Sequence, residues 1–412
     1  MIESGGATYK VDSATGHMTR IMVFPTGLAD DPLTYLHQYA VSPDGRVVAA
    51  GCATDNTLAR IPPNGANSRL CLFSDGDNAG RPIATQTDFV RGRAIGGPWA
   101  SDPYYWSPDG HKIVFYVAID EASSDVYVAD VVAGTVKRVL EGTSGTRASG
   151  AVWSPDSTRF AVALLALDAQ ESASLFVVGA EDGGTTNLNA TIGRLARASM
   201  NSVTWSPDAK FVAFTAIDGR GSGSSGSEEP HVYVVSADGS SAHQVATIGL
   251  PADYTSPLSW SPDGLWLVAR LIIGKYTDIN ANMTAAYLLR VDDAEQRVLG
   301  QSLSPSPVAW AADGKRGALW AFGATSHTFA LIQLDVAGPP RLVDAALAGR
   351  SGLSLYPFAV SDADQTRIFY SLRGCGQGGC SPGPLFMVDV DGGDPQQLSD
   401  KPVERLLGIV GP

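Results

Sequence analysis

No run of eighteen apolar residues occurs in this 412-residue chain, so no segment reads as a membrane-spanning helix. Charged residues are scarce at 17%, and their balance is −13. A surface of that sign repels phosphate backbones, which argues against a nucleic-acid partner. Long helical periodicity is missing, which turns the reading toward β-structure. No Gly-x-Ser-x-Gly occurs, so the nucleophile elbow of an α/β-hydrolase is absent. The six histidines (His17, His37, His111, His231, His243 and His327) form no HxH or HxxxH pair. A histidine metal site would therefore need convergence from separate loops. Residues 1–6 do not read as a secretory signal.

Cysteine is also sparse, with four residues in two local pairs. Cys52 ends one apolar run and Cys71 lies in the next. Cys375 and Cys380 bracket a Gly-Gln-Gly-Gly loop. Two near pairs suit two disulfides and an oxidising compartment. The other reading is four reduced, buried thiols, since cysteine is a common core residue. A four-cysteine zinc site is disfavoured, because the pairs lie far apart and lack CxxC spacing.

What the chain has in abundance is turn residues, with Gly at 45 and Pro at 25, arranged around one motif. Trp106-Ser107-Pro108-Asp109-Gly110 is followed at once by Ile113-Val114-Phe115-Tyr116-Val117. It returns as Ser42-Pro43-Asp44-Gly45, Trp153-Ser154-Pro155-Asp156, Trp205-Ser206-Pro207-Asp208 and Trp260-Ser261-Pro262-Asp263-Gly264. Weaker copies are Trp310-Ala311-Ala312-Asp313-Gly314 and Val360-Ser361-Asp362-Ala363-Asp364. The marker aspartates are spaced by 65, 47, 52, 55, 50 and 51 residues. A period of that size signals a repeat architecture. Proline presets φ, aspartate bonds its own backbone, and glycine tolerates φ > 0, so each motif is a tight hairpin turn. Ser157 and Ala209 replace the glycine in two copies, which predicts strained turns there. The preceding tryptophans are expected to pack between neighbouring units.

Each unit reads as four strands A to D, in repeats near 39–86, 102–140, 149–189, 201–247, 256–300, 306–343 and 356–399. Residues 7–23 look like strands C and D of a further unit, and 403–410 like an unmatched strand A. Joining the two ends in one shared closing blade gives an all-β, eight-bladed β-propeller of four-stranded blades in a single domain, 1–412. Seven blades with an attached N-terminal hairpin is the alternative.

The repeated W-S-P-D-G, apolar strand, then I/V-Y-V-x-D-x-D-G-G resembles the TolB-like (WD40-like) β-propeller repeat, over nearly the whole chain. The resemblance implies a propeller of the bacterial envelope, periplasmic or outside the cell. It leaves function open, because such propellers serve as scaffolds, peptidase gating domains, surface modules and lyases.

In a four-stranded meander the A–B and C–D turns share one face and are short here. The B–C loops and D–A connections share the other face and vary in length, which is where binding is expected. The candidate binding residues on that face are Arg91, Arg93, Trp99 and Asp102, then Tyr35 and His37, then Lys275, Tyr276 and Asp278. Arginine and aromatic residues dominate interaction hot spots; the bland alternative is that Trp99 and Tyr35 pack beneath their loops. The expectation is a scaffold binding a protein partner, with self-association included, and no catalytic residue. The runners-up are a lyase or lactonase at the channel mouth, and a carbohydrate-binding propeller using Trp99 and Tyr276 as stacking platforms. No cofactor is expected. Calcium is raised by Asp75, Asp77 and Asn78, and by Asp389, Asp391 and Asp394, but these are also favoured hairpin formers and lack a full calcium loop.

Overall fold

The computed structural model describes residues 2–4, 6–12, 17–25, 39–53, 55–57, 69–90, 94–95, 104–120, 122–166, 173–192, 197–198, 202–217, 230–247, 258–273, 283–292, 295–301, 308–310, 315–322, 327–333, 341–344, 353–356, 367–376, 379–381, 383–389, 394–399, 402–403 and 405–406. Its strands are antiparallel and form separate small sheets, the all-β propeller arrangement of four-stranded blades. Six sheets are contiguous meanders of strands A to D, spanning residues 39–84, 94–140, 146–187, 197–247, 259–301 and 309–344. These regular blades number six, fewer than the seven or eight units expected from the sequence. A seventh sheet, 353–397, carries an extra hairpin strand, Gly379–Ser381. The last is built from both ends of the chain: Ile2–Ser4, Ala7–Val11 and Met18–Val23, with Arg405–Leu406 paired to Ile2–Ser4. Strand Ile2–Ser4 was not anticipated; three residues ahead of a glycine pair give too little periodicity to read.

Strand B is buried on both faces, which explains its continuous apolar runs. In the second sheet Ile113, Phe115 and Val117 pack toward the first sheet, with Ala49, Leu70 and Leu72. Val114 and Tyr116 pack the other way, against Ala151, Trp153 and Phe160 of the third. The same interleaving joins the third sheet to the fourth, the fourth to the fifth, and the fifth to the sixth. Met22 and Phe24 join the terminal sheet to the first, and Val403 with Leu385 joins it to the seventh. Among the described residues no apolar cluster joins the sixth sheet to the seventh.

Strands A of successive sheets contact one another: Tyr39–Val41 with Tyr104–Trp106, that strand with Thr146–Trp153, and so on to Thr204–Trp205 and Ser259–Trp260. They are the inner strands, and the tryptophans tie them in series. Trp106 Nε1 donates to the Ala40 carbonyl at 3.1 Å, Trp153 to Tyr105 at 2.9 Å, Trp205 to Val152 at 2.8 Å and Trp260 to Thr204 at 3.4 Å. Trp310 instead donates to the Ser259 hydroxyl at 2.9 Å. The expected packing role of tryptophan thus holds, with a directional bond added to it.

Cys52 and Cys71 form a disulfide across the second and third strands of the first sheet, with Cα atoms 5.8 Å apart. They sit diagonally, since Ala50 faces Cys71 and Cys52 faces Arg69. In the seventh sheet the hairpin register sets Cys375 opposite Cys380.

Candidate functional site

The two ends of the blades are built differently, and this separates structural turns from candidate binding loops. At the A–B end, Ser107 donates to Asp109 Oδ1 at 2.5 Å, and the His111 N–H donates to the same oxygen at 3.0 Å. The Ser107 hydroxyl accepts the Lys112 N–H at 2.9 Å. The same bonds recur at Ser42–Asp44, Ser154–Asp156, Ser206–Asp208 and Ser261–Asp263. Gly45, Gly110 and Gly264 have φ of 71°, 73° and 72°; Ser157 and Ala209 adopt 59° and 58°, the strained turns expected.

These turns also hold one another. The Asp109 N–H donates to the Ser157 hydroxyl at 3.1 Å, and Arg159 donates to the Ala209 carbonyl at 2.7 Å while lying over the Trp205 ring. Thr8 donates to the Gly45 carbonyl at 2.6 Å. The C–D turns join in: Val23 N–H to Asp75 at 2.7 Å, and Lys137 to the Glu181 carbonyl at 2.7 Å. Burial works against ionisation of Asp109, Asp156 and Asp208, but the serine hydroxyl and the N–H two residues on outweigh it and hold each carboxyl below its ordinary range. At Asp238 the Ser240 hydroxyl and N–H bring it down to about 2. The turn aspartates raised as calcium ligands are spent in the same way. Asp75 accepts from Val23, and Asp77 accepts the Ser74 N–H at 2.9 Å. Among the described residues no three His, Cys, Asp or Glu side chains gather as a metal site.

At the B–C and D–A end each sheet is finished in its own way. In the second sheet the fully buried Asp125 accepts the Gly142 N–H at 2.8 Å and pairs with Arg138 at 3.4 Å, which also reaches Glu141. Ser123 accepts the Gly145 N–H at 3.0 Å and Ser124 accepts the Ala148 N–H at 2.9 Å. Gly142 is required here, since a Cβ would sit 2.1 Å from the Ser124 carbonyl oxygen. In the third sheet Asn189 accepts the Leu175 N–H at 2.8 Å, in the fourth Ser202 accepts the Thr215 N–H at 2.9 Å, and in the seventh Ser371 donates to Gly383 at 3.0 Å.

The connection expected to bind, 86–103, is described at its base. Asp88 accepts the Thr85 N–H at 2.7 Å, closing a 3-10 turn at Gln86–Asp88. Phe89 packs edge-on against Tyr127 at 5.4 Å, and the Tyr127 hydroxyl accepts the Val90 N–H at 3.0 Å. Ala94–Ile95 then pairs with Val117 and Ala118 as a first piece of the inner strand. All nine candidate binding residues (Tyr35, His37, Arg91, Arg93, Trp99, Asp102, Lys275, Tyr276 and Asp278) lie outside the described residues, as does His37 as a possible ligand. Sequence reasoning missed Asp125, Asn189 and Ser202 because none belongs to the repeat. It also missed Tyr104, whose buried hydroxyl has no partner among the described residues and whose burial pushes it well above its ordinary pKa.

The TolB beta propeller domain model matches residues 102–338, more than half of the chain. Dipeptidyl peptidase 4 from Porphyromonas gingivalis is similar over 89% of this chain and 53% of its own, at 14% identity and a TM-score of 0.56. This chain therefore spans about half the length of that peptidase. An oligogalacturonate lyase in complex with manganese aligns over 90% of this chain and 94% of its own, at 14% identity and a TM-score of 0.49. TolB from Acinetobacter baumannii aligns over 71% and 62%, at 12% identity and a TM-score of 0.36. At such identities likeness speaks to the fold alone. No curated protein matches the sequence. The repeated turns, the four-stranded blades and the family match agree: this chain belongs to the TolB beta propeller domain family.

Proposed function

We propose that this chain is a non-catalytic interaction propeller that binds a protein partner through its B–C and D–A loops. One observation supports the reading above others: the short turns spend their serine, aspartate and backbone groups on one another, from sheet to sheet. Polar groups already paired within the fold offer little to a ligand. The opposite end has no common turn sequence, and its connections vary in length, as binding segments on a rigid scaffold do. In this reading the seventh and terminal sheets complete an eight-bladed ring with the six regular ones, and residues Arg91, Arg93, Trp99, Asp102, Tyr35, His37, Lys275, Tyr276 and Asp278 supply contacts. The disulfide at Cys52–Cys71 suits an oxidising compartment, so we place the protein in the periplasm or outside the cell, with a second bridge at Cys375–Cys380. No metal is asked for, and a chelator should leave the melting temperature unchanged.

The test is capture from an envelope and secreted fraction by the immobilised propeller, against a variant with residues 86–103 shortened. A specific protein retained by the first and lost by the second is the expected result. Retention of small molecules or glycans alone would overturn the scaffold reading and favour the lyase or lectin alternatives.

A further inference from the structure

The inner strands carry a charge pattern opposite to that of the whole chain. The net charge is −13, yet among the described residues of strands A the only charged ones are Arg147, Arg197 and Arg405. Their heights can be read from the register. In the third sheet Trp153 pairs with Phe160, and Arg147 pairs with Leu165, five positions further along strand B. In the fourth, Trp205 pairs with Val212, and Arg197 pairs with Ile217, again five positions on. The two arginines thus occupy the same position on neighbouring inner strands, toward the loop end.

Arg405 pairs with Glu3 in the terminal sheet. The strand C irregularity falls at Tyr9 there and at Tyr233 in the fourth sheet, where Tyr233 faces Phe214, two positions beyond Val212. Tyr9 faces Ile2, so Glu3 stands at the third position. All three arginines therefore stand at odd positions, within two residues of one height, or about 7 Å along a strand. In the sequence Arg93 directly precedes Ala94, the start of another inner-strand piece.

We propose that the loop-end half of the inner strands forms a cationic collar that takes an oxyanion, a carboxylate or phosphate group, in the mouth of the propeller. Arginine matches such groups with paired N–H donors and stays charged at any working pH. A low-dielectric cleft lined with one sign of charge concentrates ligands of the other, here against an acidic exterior that would repel them elsewhere. The proposal does not depend on a protein partner at the outer loops, and its probes are small ions.

The experiment is isothermal titration of the full chain with citrate and with pyrophosphate, at matched ionic strength set by chloride. It compares the wild type, Arg147→Gln/Arg197→Gln, and Arg147→Lys/Arg197→Lys, each shown folded by circular dichroism. Saturable binding is expected in the wild type, weakened at least about tenfold by glutamine and largely retained by lysine. Binding of citrate alone assigns a carboxylate, and of pyrophosphate alone a phosphate. Should the glutamine pair fail to fold, single Arg147→Gln and the weakening of wild-type binding by added salt carry the test. No saturable binding, or equal affinity in the glutamine variant, would overturn the collar. The 86–103 variant is expected to keep anion binding even where it loses a protein partner.

Discussion

At the A–B end, a serine hydroxyl, an aspartate carboxylate and a residue with positive φ close the hairpin in five sheets. At the opposite end the buried N–H groups find a different partner in each sheet: Asp125 in one, Asn189 in the next, Ser202 in a third. Both ends meet the same demand, that buried backbone groups be paired. The repeated solution leaves every blade alike and interlocked with its neighbours. The individual solutions let each connection differ in length and composition without disturbing the blade beneath, so the variable end can acquire a binding role.

The sharpest way to break that contrast is at the interlocked tryptophans. Trp205→Ala removes a buried ring, its bond to the Val152 carbonyl and the surface under Arg159, and should cost about 3–5 kcal/mol in urea unfolding. A loss below about 1 kcal/mol would mean that the inner strands are not tied through tryptophan. Replacing both Cys52 and Cys71 by serine opens a 19-residue separation near the base of a B–C loop and should cost about 3 kcal/mol. Reduction by dithiothreitol should lower the wild-type melting temperature and leave the double variant unmoved.

Smaller effects separate the turns themselves. Gly110→Ala places a methyl at ordinary contact distance, 3.7 Å from Pro43, so only backbone strain remains, about 1–2 kcal/mol. Ala209→Gly relieves the same strain but gives up a buried methyl and loosens the unfolded chain, so its net change should stay within about 0.5 kcal/mol. Equal losses in the two variants would refute the strain account. The smallest effect is that of acid. The depressed turn carboxylates contribute stability fully present above their unfolded value near 4 and lost as pH falls through the lower folded values, toward 2 for Asp238. Melting temperature should therefore hold steady down to about pH 4 and decline below it; a decline starting well above that range would point to other groups.

The legibility of the chain follows the same divide. Ser-Pro-Asp-Gly and the tryptophan before it repeat because every blade uses them identically, so the strand order, the strained turns at Ser157 and Ala209, and the Cys52–Cys71 bridge could be read from residues alone. The two irregular sheets could not be told from regular units, since an extra hairpin at Gly379–Ser381 leaves the period intact, and Ile2–Ser4 is too short for a pattern. Asp125 reads as one more polar residue opening an alternating strand; its burial comes from Gly142 folding back onto Ser124, a contact between separate loops. The arginine height on the inner strands depends on register across sheets, which spacing in sequence does not express.

One measurement tests the division between the two ends most directly. Stability and partner capture would be measured together in two variants, one with Ser107 and Asp109 both changed to alanine, the other with residues 86–103 shortened. The turn variant should lose stability while still capturing the partner whenever it is folded, and the loop variant should lose capture while melting close to the wild type. Capture lost through the turn and kept without the loop would contradict the account.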